Sequence, residues 1–346
     1  YQTAKKICGL LVDSCKATPE PKTRDRKIKK NQLKHTRIGT ISLTKTVDQN
    51  TRAFVYYHLN IGIDHMVVYF DDPNDQLYDE LRNIPRLTFI LCNDSWWLAK
   101  LGRVPENIAV KKQTCLDHGI RLLRRRKIAW IASLGSDDLL YTSVPIHQIL
   151  ETVDANIGRI NVVAEEAVRC SGMDQGGIFQ SRLFKKTPKH PNGLQKLVER
   201  IIYRRIQQVS NQGVLGSRKG TSLFRSTASN NLDKPHKPGN NKRETTTIIR
   251  SDIHLLHYEC FSYEHWKGKW KDSINEITSS PDTGEKLRQQ ATQLRAHIVN
   301  GNEKELIKIY RQWFCPSWVA IQLLLWSGLI VRHRIDPRLF EPQSAE

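Results

Sequence analysis

Arg37–Asp72, RIGTISLTKTVDQNTRAFVYYHLNIGIDHMVVYFDD, places two short apolar runs on either side of a stretch with helical spacing. Arg37–Thr44 and His65–Phe70 read as buried strands. Thr51–Gly62 between them carries its apolar residues at helical intervals and closes on a glycine, a common helix stop signal. RLTFILC (Arg86–Cys92) and KIAWIASL (Lys127–Leu134) repeat the strand signature. Pro105–Arg126 lies between these two and predicts an amphipathic helix, with Ala109, Leu116, Ile120 and Leu123 as its stripe and Lys and Arg on the far side. Strand and helix alternating from Arg37 to Leu134 predict an α/β fold, a mostly parallel sheet with helices on both faces. Ligands of such sheets bind beyond the carboxyl ends of the strands, so the chemistry is expected just after Thr44, Phe70 and Leu134. Asp71–Asp72 and Asp137–Asp138 fall at two of those ends. Closely spaced aspartates there suit a hard divalent cation, although aspartate-rich turns are also common after strands.

On the amino-terminal side, six of the nine residues from Lys22 to Lys30 are basic, following Pro19 and Pro21. Residues 1–35 therefore read as a basic arm or linker. On the carboxyl-terminal side, RINVVAEEAV (Arg159–Val168) predicts one strand running into Glu165 and Glu166, and Gly213–Arg243 predicts a long loop of the active-site type. After IHLLHY (Ile253–Tyr258) the chain reads as mostly helical. The expected division is an arm over 1–35, a catalytic domain over 36–270 and a helical extension over 271–346. Phe314–Val331 is 18 residues without formal charge, at the lower edge of a spanning length. Pro316, Ser317, Gln322, Ser327 and Gly328 interrupt it, which favours a buried helix over one lying on a membrane, and either over a span.

Composition narrows the function. The 346 residues carry 54 Lys+Arg against 35 Asp+Glu, a net charge of +19, which suits polyanionic partners: nucleic acid, anionic membrane or phosphorylated substrates. The seven cysteines are odd in number and scattered, without a C-x-x-C pair, which argues against a disulfide framework or a zinc ribbon. A reducing, cytoplasmic location is expected, peripheral at the inner face of a membrane if the chain meets one. The chain opens at Tyr1 without a signal peptide or an initiator Met. Asn93-Asp94-Ser95 reads as a chance sequon triplet.

Four segments, in order, resemble the family 2-like glycosyltransferases of the GT-A fold. Tyr57, His58, Gly62, Ile63, Asp64, His65 and the Asp71–Asp75 stretch match that family's Tyr-His…Gly-Val-Asp-His opening and the strand that follows. Gln113, Cys115, Leu116 and Trp130, with WIASLGSDDLLY, resemble its Trp…Asp-x-Asp-Glu segment. LFRSTASNNLDKPHKP resembles its His-x-Pro segment, and HLLHYECFSYEHWKGKW its His-Tyr…Trp-x-x-Lys close. The resemblance spans Arg37 to Lys269. It implies a GT-A sheet, Mn²⁺ or Mg²⁺, a UDP- or GDP-sugar donor, and a saccharide or lipid-linked acceptor, with inversion at the sugar. Asp137 and His236 would be metal ligands. Lys45, Asp71, Asp72, Arg225, Lys237, His257, Tyr258 and Lys269 would bind the donor, with Lys267 as a further cation; apart from the resemblance, Arg225 in SLFRS and Arg182 in FQSRLFKK have the texture of strand–turn phosphate clamps. Asp138, Glu165 and Glu166 would supply the base, with Asp174 a distant fourth.

Two departures stand out. Gly135 replaces the first aspartate of Asp-x-Asp, and Lys45-Thr46-Val47-Asp48 meets the family's Lys-Asn-Glu only loosely. A degenerate relative that binds a nucleotide sugar or glycan without turnover is therefore a second reading. A basic nucleic-acid-binding protein is a third, supported by net charge and the Arg121–Lys127 run. Neither a helix-turn-helix nor a finger spacing, nor an RNP-like aromatic pattern, accompanies that charge.

Overall fold

The computed structural model describes residues 36–44, 49–70, 77–169, 177–188, 190–204, 220–227, 246–260, 262–279 and 285–342. The basic arm over 1–35, Lys45, Asp71, Asp72, Asp174, His236 and Lys237 lie outside these residues.

β1 (Ile38–Thr44), α1 (Gln49–Asn60), β2 (His65–Phe70), α2 (Leu77–Leu81) and β3 (Leu87–Leu91) build the first half of the domain. α3 (Asp94–Leu101), α4 (Ile108–Arg125) and β4 (Trp130–Ser133) follow. These strands match the apolar runs, and β2 is buried at every residue because neighbours and helices cover both its faces. α1 ends two residues before Gly62, whose φ is +99°. The stripe of α4 shifts from expectation. Cys115, Gly119, Ile120 and Leu123 are buried, whereas Ala109, in the first turn, is exposed. α3 is missing from the sequence-based reading, and Asn93 of the sequon is its cap, accepting a hydrogen bond from the Trp96 amide.

The remaining elements are β5 (Asp138–Thr142), α5 (Ile146–Glu151), β6 (Ile157–Val162), β7 (Ala164–Ala167), β8 (Leu183–Lys185) and α6 (Gly193–Ile202). They continue with β9 (Thr221–Arg225), β10 (Thr246–Ile249), β11 (Ile253–His257), α7 (Tyr263–Ser279), α8 (Glu285–Val299), α9 (Glu303–Phe314), α10 (Trp318–Trp326) and β12 (Ile330–Arg332). Among the described residues, one sheet has the order β10-β6-β9-β4-β1-β2-β3, with β9 antiparallel to both neighbours and every other pairing parallel. The order reverses at β1, which pairs with β2 on one side and β4 on the other. The architecture is mixed α/β, with a mostly parallel central sheet, helices around it and a helical carboxyl-terminal region.

A second sheet among the described residues, β12-β8-β7-β11-β5, is absent from the sequence-based expectation. The single strand expected over Arg159–Val168 is in fact two. β6 belongs to the first sheet and β7 to the second, and Val163 is the step between them. Gly220 packs against this step with φ +57°, where a Cβ would lie 1.9 Å from the Val162 carbonyl oxygen. Only glycine fits there. The segment Phe314–Val331 also divides, into the end of α9, a break at Cys315–Ser317, α10 and the start of β12. No helix among the described residues is long and apolar enough to cross a membrane.

Candidate active site

The site is built where β5 begins and β11 ends. These strands pair antiparallel with His257 opposite Asp138, and the pairing extends one step further as the Tyr258 amide donates to the Asp137 carbonyl at 2.8 Å. Leu134–Asp137 leads there directly from the carboxyl end of β4, so the acidic pair lies beyond the edge that the parallel sheet predicts. Asp138 Oδ1 accepts from His257 Nδ1 at 2.8 Å, and Glu259 Oε2 accepts from His257 Nε2 at 2.9 Å. Lys269, from the second turn of α7, lies 3.3 Å from Asp137 Oδ2 and 3.2 Å from Glu259 Oε1. Burial alone would disfavour charge on His257. The carboxylates of Asp137, Asp138 and Glu259 outweigh it, and its pKa is raised well above the ordinary 6.5. Burial likewise opposes the Glu259 anion, but Lys269 and His257 pull its pKa down to about 2. Three carboxylates against one imidazolium and one ammonium leave one net negative charge.

Gly135 has a packing role that its place in Asp-x-Asp does not suggest. Its amide donates to Asp138 Oδ2 at 2.9 Å and its carbonyl accepts from the Asp138 amide at 3.2 Å. A Cβ at residue 135 would stand 2.5 Å from Asp137 Oδ1 and 2.9 Å from Asp138 Oδ2. A side chain at 135 therefore requires both carboxylates to shift from these positions.

Tyr57 and His58 anchor this turn from below. The Tyr57 hydroxyl donates to the Leu140 carbonyl at 3.2 Å, and His58 Nε2 accepts from the Leu140 amide at 3.2 Å. His58 Nδ1 donates to the Phe54 carbonyl at 2.8 Å, which fixes the tautomer. Both polar groups of Leu140, two residues past Asp138, are thus held by α1. Burial pushes the His58 pKa down to about 4.

The structure gathers Asp137, Asp138, His257 and Lys269, and adds Glu259, which the sequence reading missed. Its only signal is its place two residues after His257. The other expected side chains among the described residues lie elsewhere. Glu166 forms a buried ion pair with Lys185 at 2.9 Å, and Lys185 also donates to the Trp313 carbonyl. Glu165 is on the opposite face of the second sheet, between His254 and His333. Tyr258 is buried, its hydroxyl donating to the Ser181 carbonyl. Arg225 pairs with Trp130, the first residue of β4, at the end of the sheet away from Asp137. Its guanidinium covers the Trp130 ring at 4.6 Å and donates to the carbonyls of Val153, Asp154 and Ile157. That is a strand clamp, not a phosphate clamp. Arg182 similarly donates to the carbonyls of Phe179, Gln180 and Ser181, and Lys267 pairs with Glu303.

One oxygen each from Asp137 and Asp138 and one nitrogen from His257 lie within 4.8 Å of one another, a group that could hold a divalent cation, His257 joining the two carboxylates only once it gives up a proton.

No protein-family model matches this chain, and no curated protein matches it. Among solved structures it is similar to 4-diphosphocytidyl-2C-methyl-D-erythritol synthase from Anaerococcus prevotii, at a TM-score of 0.32 and 8% identity over 63% of this chain and 88% of that one. It is also similar to glucosyl-3-phosphoglycerate synthase from Mycobacterium tuberculosis, at a TM-score of 0.27 and 12% identity over 55% of this chain and 57% of that one. Likenesses this distant carry no argument about activity.

Proposed function

We propose that the chain is a nucleotide-sugar-dependent glycosyltransferase of the GT-A type, inverting, with a saccharide or lipid-linked acceptor. The observation that carries this reading is the gathering of Asp137, Asp138, His257 and Lys269 just beyond the carboxyl edge of the parallel sheet. Asp137 would hold the cation together with the donor's diphosphate oxygens, while protonated His257 stays bonded to Asp138 and Glu259. When bound, the cation neutralises charge on the donor diphosphate. Lys269 exchanges its contact with Asp137 for the diphosphate and stabilises it as it departs. Asp138, oriented by the Gly135 amide and His257, receives the proton of the acceptor hydroxyl. Among the described residues it is the base candidate left after Glu166 is paired with Lys185 and Glu165 is turned to the other face. A cavity of about 470 Å³ at the carboxyl end of β3, lined by Cys92, Asn93, Asp94, Ser95, Trp97, Val104 and Lys111, opens near the same sheet edge and offers room for the nucleoside.

The acceptor lies at an anionic membrane surface in this reading. α10 exposes Trp318 and Trp326, at 73% and 72%, together with Val319 and Leu323. α6, joined to it by a hydrogen bond from Gln195 to the Ser327 carbonyl, exposes Leu197 and Ile201 beside Lys196 and Arg200. Exposed tryptophans with neighbouring cations match a bilayer interface carrying acidic headgroups.

The test is thermal stabilisation by UDP-, GDP-, CMP- and dTDP-sugars, with and without Mn²⁺. One nucleotide should raise the Tm only with the metal, and Asp137→Asn should abolish that shift. A flat panel on folded protein would refute the transferase reading in favour of the non-catalytic one.

A further inference from the structure

A second group of donor atoms lies outside the site just described. Register fixes its face. On β11, Leu256 lies beside Glu165 of β7, and His254, two residues earlier, shares that side of the sheet. His257 pairs with Asp138 and Glu166 on the other side. His333, directly after β12, reaches the Glu165 side from the far edge. Glu165 Oε1 lies 3.0 Å from His254 Nδ1, and Glu165 Oε2 lies 2.6 Å from His333 Nε2. The Tyr141 ring flanks the group, with its centroid 4.5 Å from that of His333 and 6.0 Å from that of His254.

The geometry points to a second metal site here, formed by Glu165, His254 and His333 and suited to a borderline transition metal such as zinc. The three donor atoms lie within 4.8 Å of one another. Two imidazoles and one carboxylate are a three-ligand set for zinc that leaves a fourth position to water or a substrate atom. Glu165 and His333 are buried while His254 is partly open, so solvent reaches the group from one side. Both rings already turn a nitrogen toward Glu165. Ligation requires that each neutral ring carry its proton on its other nitrogen and that the two contacts, now hydrogen bonds of 3.0 and 2.6 Å, open to the wider spacing of ligands on one ion. Lys186, 3.9 Å from Glu165 Oε1, is 42% exposed and free to swing outward as the metal's charge arrives. Two of the three residues lie on strands β7 and β11 and the third just past β12, 168 positions from Glu165, so an ion here ties the carboxyl-terminal end of the sheet to its centre. The proposal is independent of the transferase reading, since no residue is shared between the two clusters.

The experiment measures zinc stoichiometry by equilibrium dialysis without nucleotide, in an Asp137→Asn background that disables the other cluster. We expect one equivalent in that background and its loss on adding His254→Ala and His333→Ala. An unchanged equivalent in the combined variant, or no zinc bound by Asp137→Asn alone, would overturn the assignment. Should the combined variant fail to fold, X-ray absorption at the zinc edge of Asp137→Asn decides the matter. Two imidazoles in the first shell support the site, and one or none rejects it.

Discussion

Acidification should unlock the floor of the active site through His58. The ring is fully buried, donates through Nδ1 to Phe54 and accepts through Nε2 from the Leu140 amide, so a second proton must break the bond that holds β5. Its pKa in the folded chain is about 4, against an ordinary 6.5. A folded-state pKa lower than the unfolded one contributes stability that is complete above about pH 6.5 and disappears as the pH falls through about 4. Between neutrality and about pH 4.5, these two values give a loss of about 2.5 kcal/mol from this group alone. The assay is urea denaturation followed by tryptophan fluorescence, at several pH values, on the wild type and His58→Leu. The variant should be less stable at neutral pH by about 1–3 kcal/mol, because the Leu140 amide loses its acceptor. Its further loss on acidification should be smaller than the wild type's by about 2.5 kcal/mol. His65, also pushed down to about 4 by burial, is present in both proteins and cancels. Parallel pH profiles would refute the reasoning.

Gly135→Asp, which restores the family's Asp-x-Asp, should weaken Mn²⁺-dependent donor binding, because the new side chain enters the space of both carboxylates; tighter binding would contradict the packing role of Gly135. Glu166→Gln should cost about 3–5 kcal/mol by leaving Lys185 charged and buried, and adding Lys185→Met should recover much of it, as a double-mutant cycle in denaturant would reveal. Trp318→Ser with Trp326→Ser should reduce flotation with phosphatidylserine vesicles while leaving the Tm within about 2 °C, since both rings are solvent-exposed; unchanged flotation would remove the membrane surface from the proposal.

Much of the parallel half was legible because its signals are local. The apolar run His65–Phe70 is short and rich in β-branched and aromatic residues, which suits a strand covered on both faces, and Tyr57-His58 sits at the end of a helix with readable spacing. The position of Asp137 and Asp138 beyond a strand end followed from the same pattern. The second sheet was not legible. Its strands are short, and the chain changes sheets within Arg159–Val168 without a break in hydropathy, at a step that Gly220 accommodates from some sixty residues away in sequence.

Composition and periodicity by themselves determined the α/β class, the strands of the parallel half and the end of the sheet at which carboxylates gather, because backbone pairing and burial act over a few residues. Only the tertiary structure decided what each charged side chain does. Glu165 and Glu166 are adjacent in sequence, yet alternation across β7 sends one to His254 and His333 and the other to Lys185. Arg225 looked like a phosphate ligand and is instead committed to backbone carbonyls. Glu259, with no motif to mark it, joins His257 and Lys269. A charge's role depends on the partners that packing brings within a few ångströms, and those partners come from distant parts of the chain.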